Sequence, residues 1–288
     1  MIWVNAIVQG VLLGGLYALF AAGLSLMFGV MRFVNLAHGD FIVVAAYLTL
    51  VVCDTTGVNP FVAILLIVPI MGAAGYALQR FLFNRVLGQD ILPPVLVTFG
   101  LSIIIQNALL NYYGANGRKV TVGALDTASI NFGPELAIGS LPVLTFVVAV
   151  SIIALIGFIS YRTGIGRMLR ATADDPETVG LMGANNAHTF AIATMIAAAV
   201  VAIAGGLFAM RTNFDPSAGP VRLLFAFEAV IIGGLGSLWG TLAGGIALGI
   251  AQTVGGQIDP RFQLLAGHLI FLVILAVRPQ GLFSRRTS

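Results

Sequence analysis

Charge is scarce in this 288-residue chain: 9% of its residues are Asp, Glu, Lys or Arg, against 59% that are hydrophobic. A soluble domain carries roughly 25% charged residues, so this composition excludes a water-facing globule and leaves a surface that meets lipid. Cysteine is almost missing too. Cys53 stands alone, which excludes an intrachain disulfide and any multi-cysteine metal site. Lys119 is the only lysine and a valine follows it, so there is no phosphate-binding P-loop. The three histidines show no HExxH or paired-ligand spacing, and no GxSxG elbow occurs. No metal, no resident cofactor and no catalytic residue is therefore expected, and the chain is not expected to be an enzyme. The net charge of +3 carries no nucleic-acid signal.

What is present is a series of long apolar runs. A membrane-spanning helix needs about 20 such residues. Val4–Val30, Phe61–Leu82, Val95–Tyr112, Leu141–Ser160, Phe190–Met210 and Phe262–Val277 qualify as candidates. Phe41–Val52, Leu223–Leu235 and Leu242–Gly255 are shorter, and the last two flank the glycine-dense GGLGSLWG. The expectation is an all-α, polytopic membrane protein of about eight or nine spans, some short or broken at glycines, forming one domain over residues 1–288. The amino terminus lacks a basic region ahead of its apolar run, so it reads as a retained span and not a cleaved signal.

Arginine placement gives an orientation. With nine crossings and the carboxyl terminus inside, Arg32, Arg80, Arg85, Arg162, Arg167, Arg170, Arg278, Arg285 and Arg286 face the cytoplasm. Arg118, Lys119, Arg211, Arg222 and Arg261 then lie outside, which satisfies the positive-inside bias. The protein is expected in the cytoplasmic (inner) membrane. Residues 113–140 form an outer loop with short β-type runs, either a cap over helix ends or a docking surface. Residues 161–189 form the principal cytoplasmic loop.

That cytoplasmic loop, YRTGIGRMLRATADDPETVGLMGANNAHT, is the most polar stretch of the chain. Asp175-Pro176-Glu177 reads as a helix start: an Asp cap, a proline at the first helical position and an acid in the first turn. Gly183 reads as the stop. A short helix from about Asp174 to Gly183, carrying Leu181 and Met182, is thus expected in a loop containing Arg167 and Arg170. A connection between two spans does not need such a helix, so a docking partner is implied.

Three other stretches hold candidate residues for a translocation path. In VNLAHGDF, Asn35, His38, Gly39 and Asp40 stand where a span enters the membrane. A helix broken near a substrate path and a simple headgroup-level anchor are both open, and the anchor is favoured because the charges sit at a segment end. Glu228 lies inside LLFAFEAVIIGG with no basic residue following it closely. It is either functional, a strut bonded to a neighbouring helix, or simply close to the outer interface. Gly233, Gly234, Gly236 and Ser237 are too glycine-dense for a straight helix and read as a tight turn, while Gly240, Gly244 and Gly245 suit helix packing.

NLAHGDF after the first span, RMLRATADDPETVGLMGAN, FEAVIIGGLGSLWGTLAGG and the terminal VRPQGLF together resemble the membrane permeases of branched-chain amino acid ABC importers, LivH type. The matches extend from residue 35 to residue 283. The resemblance implies one of two homologous permeases, two cytoplasmic ATPases that hold ATP and Mg, and an extracytoplasmic substrate-binding protein. It also implies that the helix at Asp174–Gly183 couples the permease to an ATPase. A urea or short-amide permease of the same family is the alternative substrate class. An ion-coupled secondary transporter would have only Glu228 as a mid-membrane ionisable group.

Overall fold

The computed structural model describes residues 2–88, 90, 92–131 and 137–283. Among the described residues eleven α-helices follow one another: α1 Ile2–Met31, α2 His38–Thr56, α3 Pro60–Phe81, α4 Leu92–Tyr113, α5 Ser140–Arg162, α6 Gly164–Asp174, α7 Pro176–Leu181, α8 Asn186–Arg211, α9 Gly219–Gly233, α10 Leu238–Ile258 and α11 Phe262–Val277. Seven of them are long and apolar enough to cross a membrane: α1 to α5, α8 and α10. The short run Phe41–Val52 is part of the 19-residue α2, and Leu242–Gly255 lies within the 21-residue α10. By contrast α9 has only 15 residues, about 22 Å at 1.5 Å per residue, and α11 has 16.

The long polar loop of residues 161–189 is mostly helix, contrary to its reading as a loop with one short helix. α6 forms because Thr163 caps it, its hydroxyl accepting from the Gly166 N–H at 3.1 Å. Gly166, Leu169 and Thr172 turn inward at helical spacing, Arg167 stays out and Arg170 is half-buried. Asp174 therefore ends α6, and Asp175 alone separates it from α7.

α1 is the axis of the bundle, with every residue from Gly14 to Met27 buried. It lies antiparallel on α10, where Gly14 faces Ile246 and Gly10 faces Ile250, with no room for a Cβ at either glycine. α8 lies in the same way on α3, Gly75 facing Thr194 and Ala198. Lipid supplies no hydrophobic drive between helices, so such close backbone approach is what holds them together. Polar rivets add to it: the Thr194 hydroxyl donates to Gln79 at 2.7 Å, and Gln79 donates on to Asn84 at 2.8 Å.

α1–α4 and α8–α11 repeat one plan in opposite senses. α1 and α8 are antiparallel, with Leu12 beside Arg211 and Gly23 beside Ala197. After each comes a non-helical return, residues 32–37 and 212–218, and then a helix that begins inside the bundle. α2 runs alongside α8, and α9 runs alongside α1. α5 joins the halves and leads into α6 and α7.

On the opposite end from α7, β1 (Ser129–Asn131) pairs antiparallel with β2 (Ala137–Gly139). Arg118 pairs through its backbone with Phe214, at 2.8 and 2.9 Å. The outer loop thus clasps the return segment that precedes α9. Lys119 meets Asp126 at 3.2 Å. The Asp126 carboxyl is held below its ordinary pKa chiefly by the Val122 N–H it accepts, with Lys119 adding to it. Residues 132–136 of this loop, and Arg285, Arg286 and Ser288 at the carboxyl terminus, lie outside the described residues.

Candidate functional site

Two places in the fold collect the residues singled out from the sequence. The first is the cytoplasmic-loop element. Asp175 caps α7: Oδ1 accepts from the Thr178 N–H at 3.0 Å and Oδ2 from the Thr178 hydroxyl at 2.5 Å. These two bonds, the hydroxyl's first, hold the Asp175 carboxyl below its ordinary pKa. Pro176 occupies the first helical position and Glu177 the first turn. Gly183 sits at φ 89°, the left-handed geometry that a helix stop requires. Asn186 donates from its side chain to the Pro176 carbonyl at 2.5 Å, and Asn185 caps α8. His188 shares a hydrogen bond with Tyr76 at 2.8 Å, fixing the start of α8 on α3. α7 is therefore rigidly mounted. Among the described residues nothing covers its end: Leu181 is 85% exposed and Met182 81%. Arg170 does not share that outward face. Its guanidinium donates to the Ser160 carbonyl at 2.5 Å and lies 5.0 Å over the Tyr161 ring, tying α6 to α5.

The second place is the interior, where α2 and α9 begin. The Asn35 side chain accepts from the Ala37 N–H at 3.0 Å and His38 Nε2 donates to the Phe20 carbonyl at 2.8 Å. Phe20 lies three turns before the end of α1, roughly 16 Å along it, so α2 starts well inside the bundle. Asn35, His38 and Asp40 are all buried, at 2%, 2% and 1% exposure. The headgroup-level anchor favoured from the sequence, with His38 and Asp40 wet, is corrected here. The charges do stand at a helix end, but the non-helical return, opened by Arg32 at φ 52°, carries that end to the interior.

Gly39 packs on the Gly219 carbonyl and the Leu223 N–H, and Gly219 packs on the Asp40 carboxylate, with no room for a Cβ at either glycine. The amino-terminal ends of α2 and α9 thus cross at these two glycines. Neither Asp40 oxygen makes a hydrogen bond of full geometry, and Ser102 and Gln106 of α4 are the polar side chains that approach it.

Along α9, Glu228 is 1% exposed and shares a 2.5 Å hydrogen bond with His268 of α11. The sequence showed no basic neighbour because His268 lies 40 residues further on. Further polar groups went unnoticed in the sequence. Tyr17 donates to Gln252 at 2.6 Å, and Arg222 lies 4.6 Å over the Phe208 ring. Arg211 donates to the Leu12 carbonyl at 3.1 Å. A glutamine inside an apolar run was the available signal for Gln252. Arg211 and Arg222 were counted as loop charges, yet both turn their guanidinium groups into the bundle.

Gly233, Gly234, Gly236 and Ser237 form the turn from α9 to α10. Gly234 and Gly236 have φ of 102° and 79°, and the Ser237 hydroxyl caps α10 by accepting from Gly240 at 3.1 Å. The terminal GLF closes over this turn: Leu282 and Phe283 donate backbone N–H groups to the Ile232 and Gly233 carbonyls at 2.9 and 3.1 Å. These four residues therefore lie at the same end of the bundle as α6, not at the crossing of α2 and α9.

Two helices, α2 and α9, that begin beside one another inside an apolar bundle, with a capped and exposed helix at one end, define a polytopic transport permease. The chain belongs to the family described as branched-chain amino acid transport system / permease component, whose model matches residues 6–277. It is 27% identical to the high-affinity branched-chain amino acid transport permease BraD of Pseudomonas aeruginosa, over 98% of this chain and 96% of BraD. It is 27% identical to the Escherichia coli permease LivH, over 96% and 94% of the two chains. The fructose import permease FrcC of Rhizobium meliloti is 28% identical over 72% of this chain and 61% of its own. No solved structure matches.

Proposed function

We propose that this permease is one of two in an ATP-driven importer of branched-chain or related amino acids and works by alternating access. A homologous second permease, two cytoplasmic ATPases holding ATP and Mg, and an extracytoplasmic binding protein complete the assembly. The carboxyl terminus and α7 face the cytoplasm. ATP-driven closure of the ATPases moves α7, and its attachment to α8, itself fixed on α3, passes that movement to the helices that meet inside the bundle. Asn35, His38, Gly39, Asp40 and Glu228 are the interior candidates for the path. Gly233, Gly234, Gly236 and Ser237 form the turn that bends with it.

The observation that carries this reading is the outward pair Leu181–Met182 on a capped, anchored helix. Two large apolar side chains exposed this far on a fixed helix are an interface awaiting its other half. Arg167, Asp174, Asp175, Pro176, Glu177 and Gly183 set the helix and its charge around that pair, while Arg170 braces it from behind.

The test is reconstitution in proteoliposomes with the second permease, the ATPases and the binding protein. Uptake of leucine, isoleucine or valine is expected only with ATP and all components present. Preference for urea or short amides in the same panel replaces the substrate class. Uptake driven by an ion gradient, with the ATPases omitted, overturns the reading.

A further inference from the structure

Beside the coupling element lies a cavity of about 160 Å³ that the transport reading leaves unused. Four parts of the fold enclose it: the last turns of α1, the end of α5, the inner face of α6, and the start of α10. Ser25, Tyr161, Arg170, Asp174, Ser237 and Trp239 are its chemically distinctive lining residues.

Three features define what it can hold. First, the Ser25 hydroxyl is 1% exposed and has no hydrogen-bond partner. Hydroxyls inside other helices, such as Thr49 and Thr145, bond back to the carbonyl four residues before, at 2.8 Å each. Ser25 does not, and it lines the cavity. A buried hydroxyl left in this state costs free energy unless a ligand takes it up.

Second, the cavity carries both signs of charge, kept apart. Arg170 and Asp174 are one helical turn apart on α6, a spacing that favours an ion pair. Yet Arg170 turns to the Ser160 carbonyl and the Tyr161 ring, and no salt bridge to Asp174 is formed among the described residues. The first turn of α10 adds backbone N–H groups at the positive end of its dipole, beside the Ser237 cap.

Third, the mouth lies where helices end and is flanked by Tyr161 and Trp239, 54% and 55% exposed. Aromatic side chains of this kind sit at headgroup level. Below Tyr161 on α5, Phe158 and Leu155 are exposed at 60% and 51%, an apolar track along the end of the helix, with Val147 exposed at 54% two turns further on.

We propose that this cavity binds the headgroup of a membrane phospholipid that bears both a phosphate and a primary ammonium. The phosphate takes the Ser25 hydroxyl, the Arg170 guanidinium and the first N–H groups of α10. The ammonium takes the Asp174 carboxylate. The acyl chains lie along the exposed face of α5. Because α6 leads directly into α7, the lipid would tie the coupling element to the transmembrane body. The cavity and its lipid rest on the chain's membrane insertion alone, whereas the tie to coupling and the use of leucine as competitor rest on the proposed function.

A free amino acid carries the same two charges, so the experiment separates the two sources. The complete importer is purified in mild detergent, stripped of bulk lipid, and its retained lipids are quantified by mass spectrometry. Phosphatidylethanolamine is expected to remain with the wild type in preference to phosphatidylglycerol and phosphatidylcholine. Arg170→Gln is expected to lower retention about tenfold, the loss typical of a hydrogen bond to a charged group. Ser25→Ala, which removes one buried atom and leaves the fold's other contacts in place, is expected to lower it several-fold. Asp174→Asn is expected to bring the ethanolamine and glycerol headgroups to equal retention. Saturating leucine is expected to displace none of the lipid. Absence of retained lipid from the wild type, equal retention by all four proteins, or leucine binding that Ser25→Ala weakens in lipid-free protein would each overturn the proposal.

Discussion

Where α2 and α9 cross, polar side chains are buried inside a bundle whose exterior is apolar. On α7, apolar side chains stand exposed on a helix whose surroundings are polar. Each place inverts what its solvent favours, and they resolve it differently. The interior satisfies much of its polarity from within: His38 by the Phe20 carbonyl, Glu228 by His268, Tyr17 by Gln252. In lipid an unmet polar group has no water to turn to, so the fold itself must supply the partner. The exposed pair on α7 has no such partner among the described residues. A polar interior is evidence about this protein's own packing, whereas an apolar exterior outside the membrane is evidence about a second protein.

Breaking the interior is expected to have the largest effect. Gly39→Leu forces a side chain into the backbone of α9 and should destabilise the inserted protein by about 3 kcal/mol or more, with loss of transport. Gly100→Leu on α4, where nothing lies within 4 Å of a Cβ, is the matched control and should leave stability unchanged. Thermal stability in detergent reads the difference. Equal behaviour of the two variants would mean the crossing is not close-packed.

The exposed side of the comparison comes next. Leu181→Ala with Met182→Ala should leave insertion and thermal stability alone, since neither side chain is buried in the chain. Loss of an interface anchor costs roughly 1–3 kcal/mol, so ATPase capture should weaken about ten- to a hundredfold and substrate-stimulated ATP turnover should fail. Co-purification and turnover assays measure both. Full assembly with full stimulation would reduce α7 to a connector.

His268→Ala sharpens the interior further. Hydrogen bonds between helices in membranes are worth about 1 kcal/mol, so a loss of that order is expected in a reversible unfolding assay. Glu228→Gln should lose less, because an amide still bonds His268. No loss in either variant would show that the pair contributes nothing to holding α9 on α11.

The smallest effect concerns the Asp175 cap. Asp175→Asn should preserve α7, since asparagine caps as well as aspartate, while Asp175→Ala should fray its first turn. The carboxyl's folded pKa is depressed, so its contribution is complete above the unfolded value and is lost as pH falls through the lower folded one. Amide shifts of Thr178 followed down an acid titration should report that loss in the wild type and not in Asp175→Asn.

Much of the exposed region was legible in the sequence. Asp175, Pro176, Glu177 and Gly183 act on neighbours a few residues away, and local chemistry of that kind is written in order along the chain. α6 was overlooked because the density of charge around Arg167 and Arg170 hid the inward spacing of Gly166, Leu169 and Thr172. Depth was far less legible. His38 and Asp40 looked like headgroup-level residues because a polar group at a helix end is wet whenever that end reaches the surface. Only the return after Met31, which brings His38 back to the Phe20 carbonyl of α1, shows that this end does not.

Composition and hydrophobic run length by themselves determined that the chain is an all-α membrane protein, because a bilayer demands long apolar helices and penalises free charge wherever they fold. The capped helix before α8 was likewise set locally. The tertiary structure alone decided that α2 and α9 start beside one another, that Glu228 finds His268 and that Arg170 leaves Asp174 for Ser160. It also decided that Leu181 and Met182 remain uncovered. Those outcomes rest on contacts between segments up to two hundred residues apart, where glycines permit approach, and a linear pattern carries no record of which helices meet.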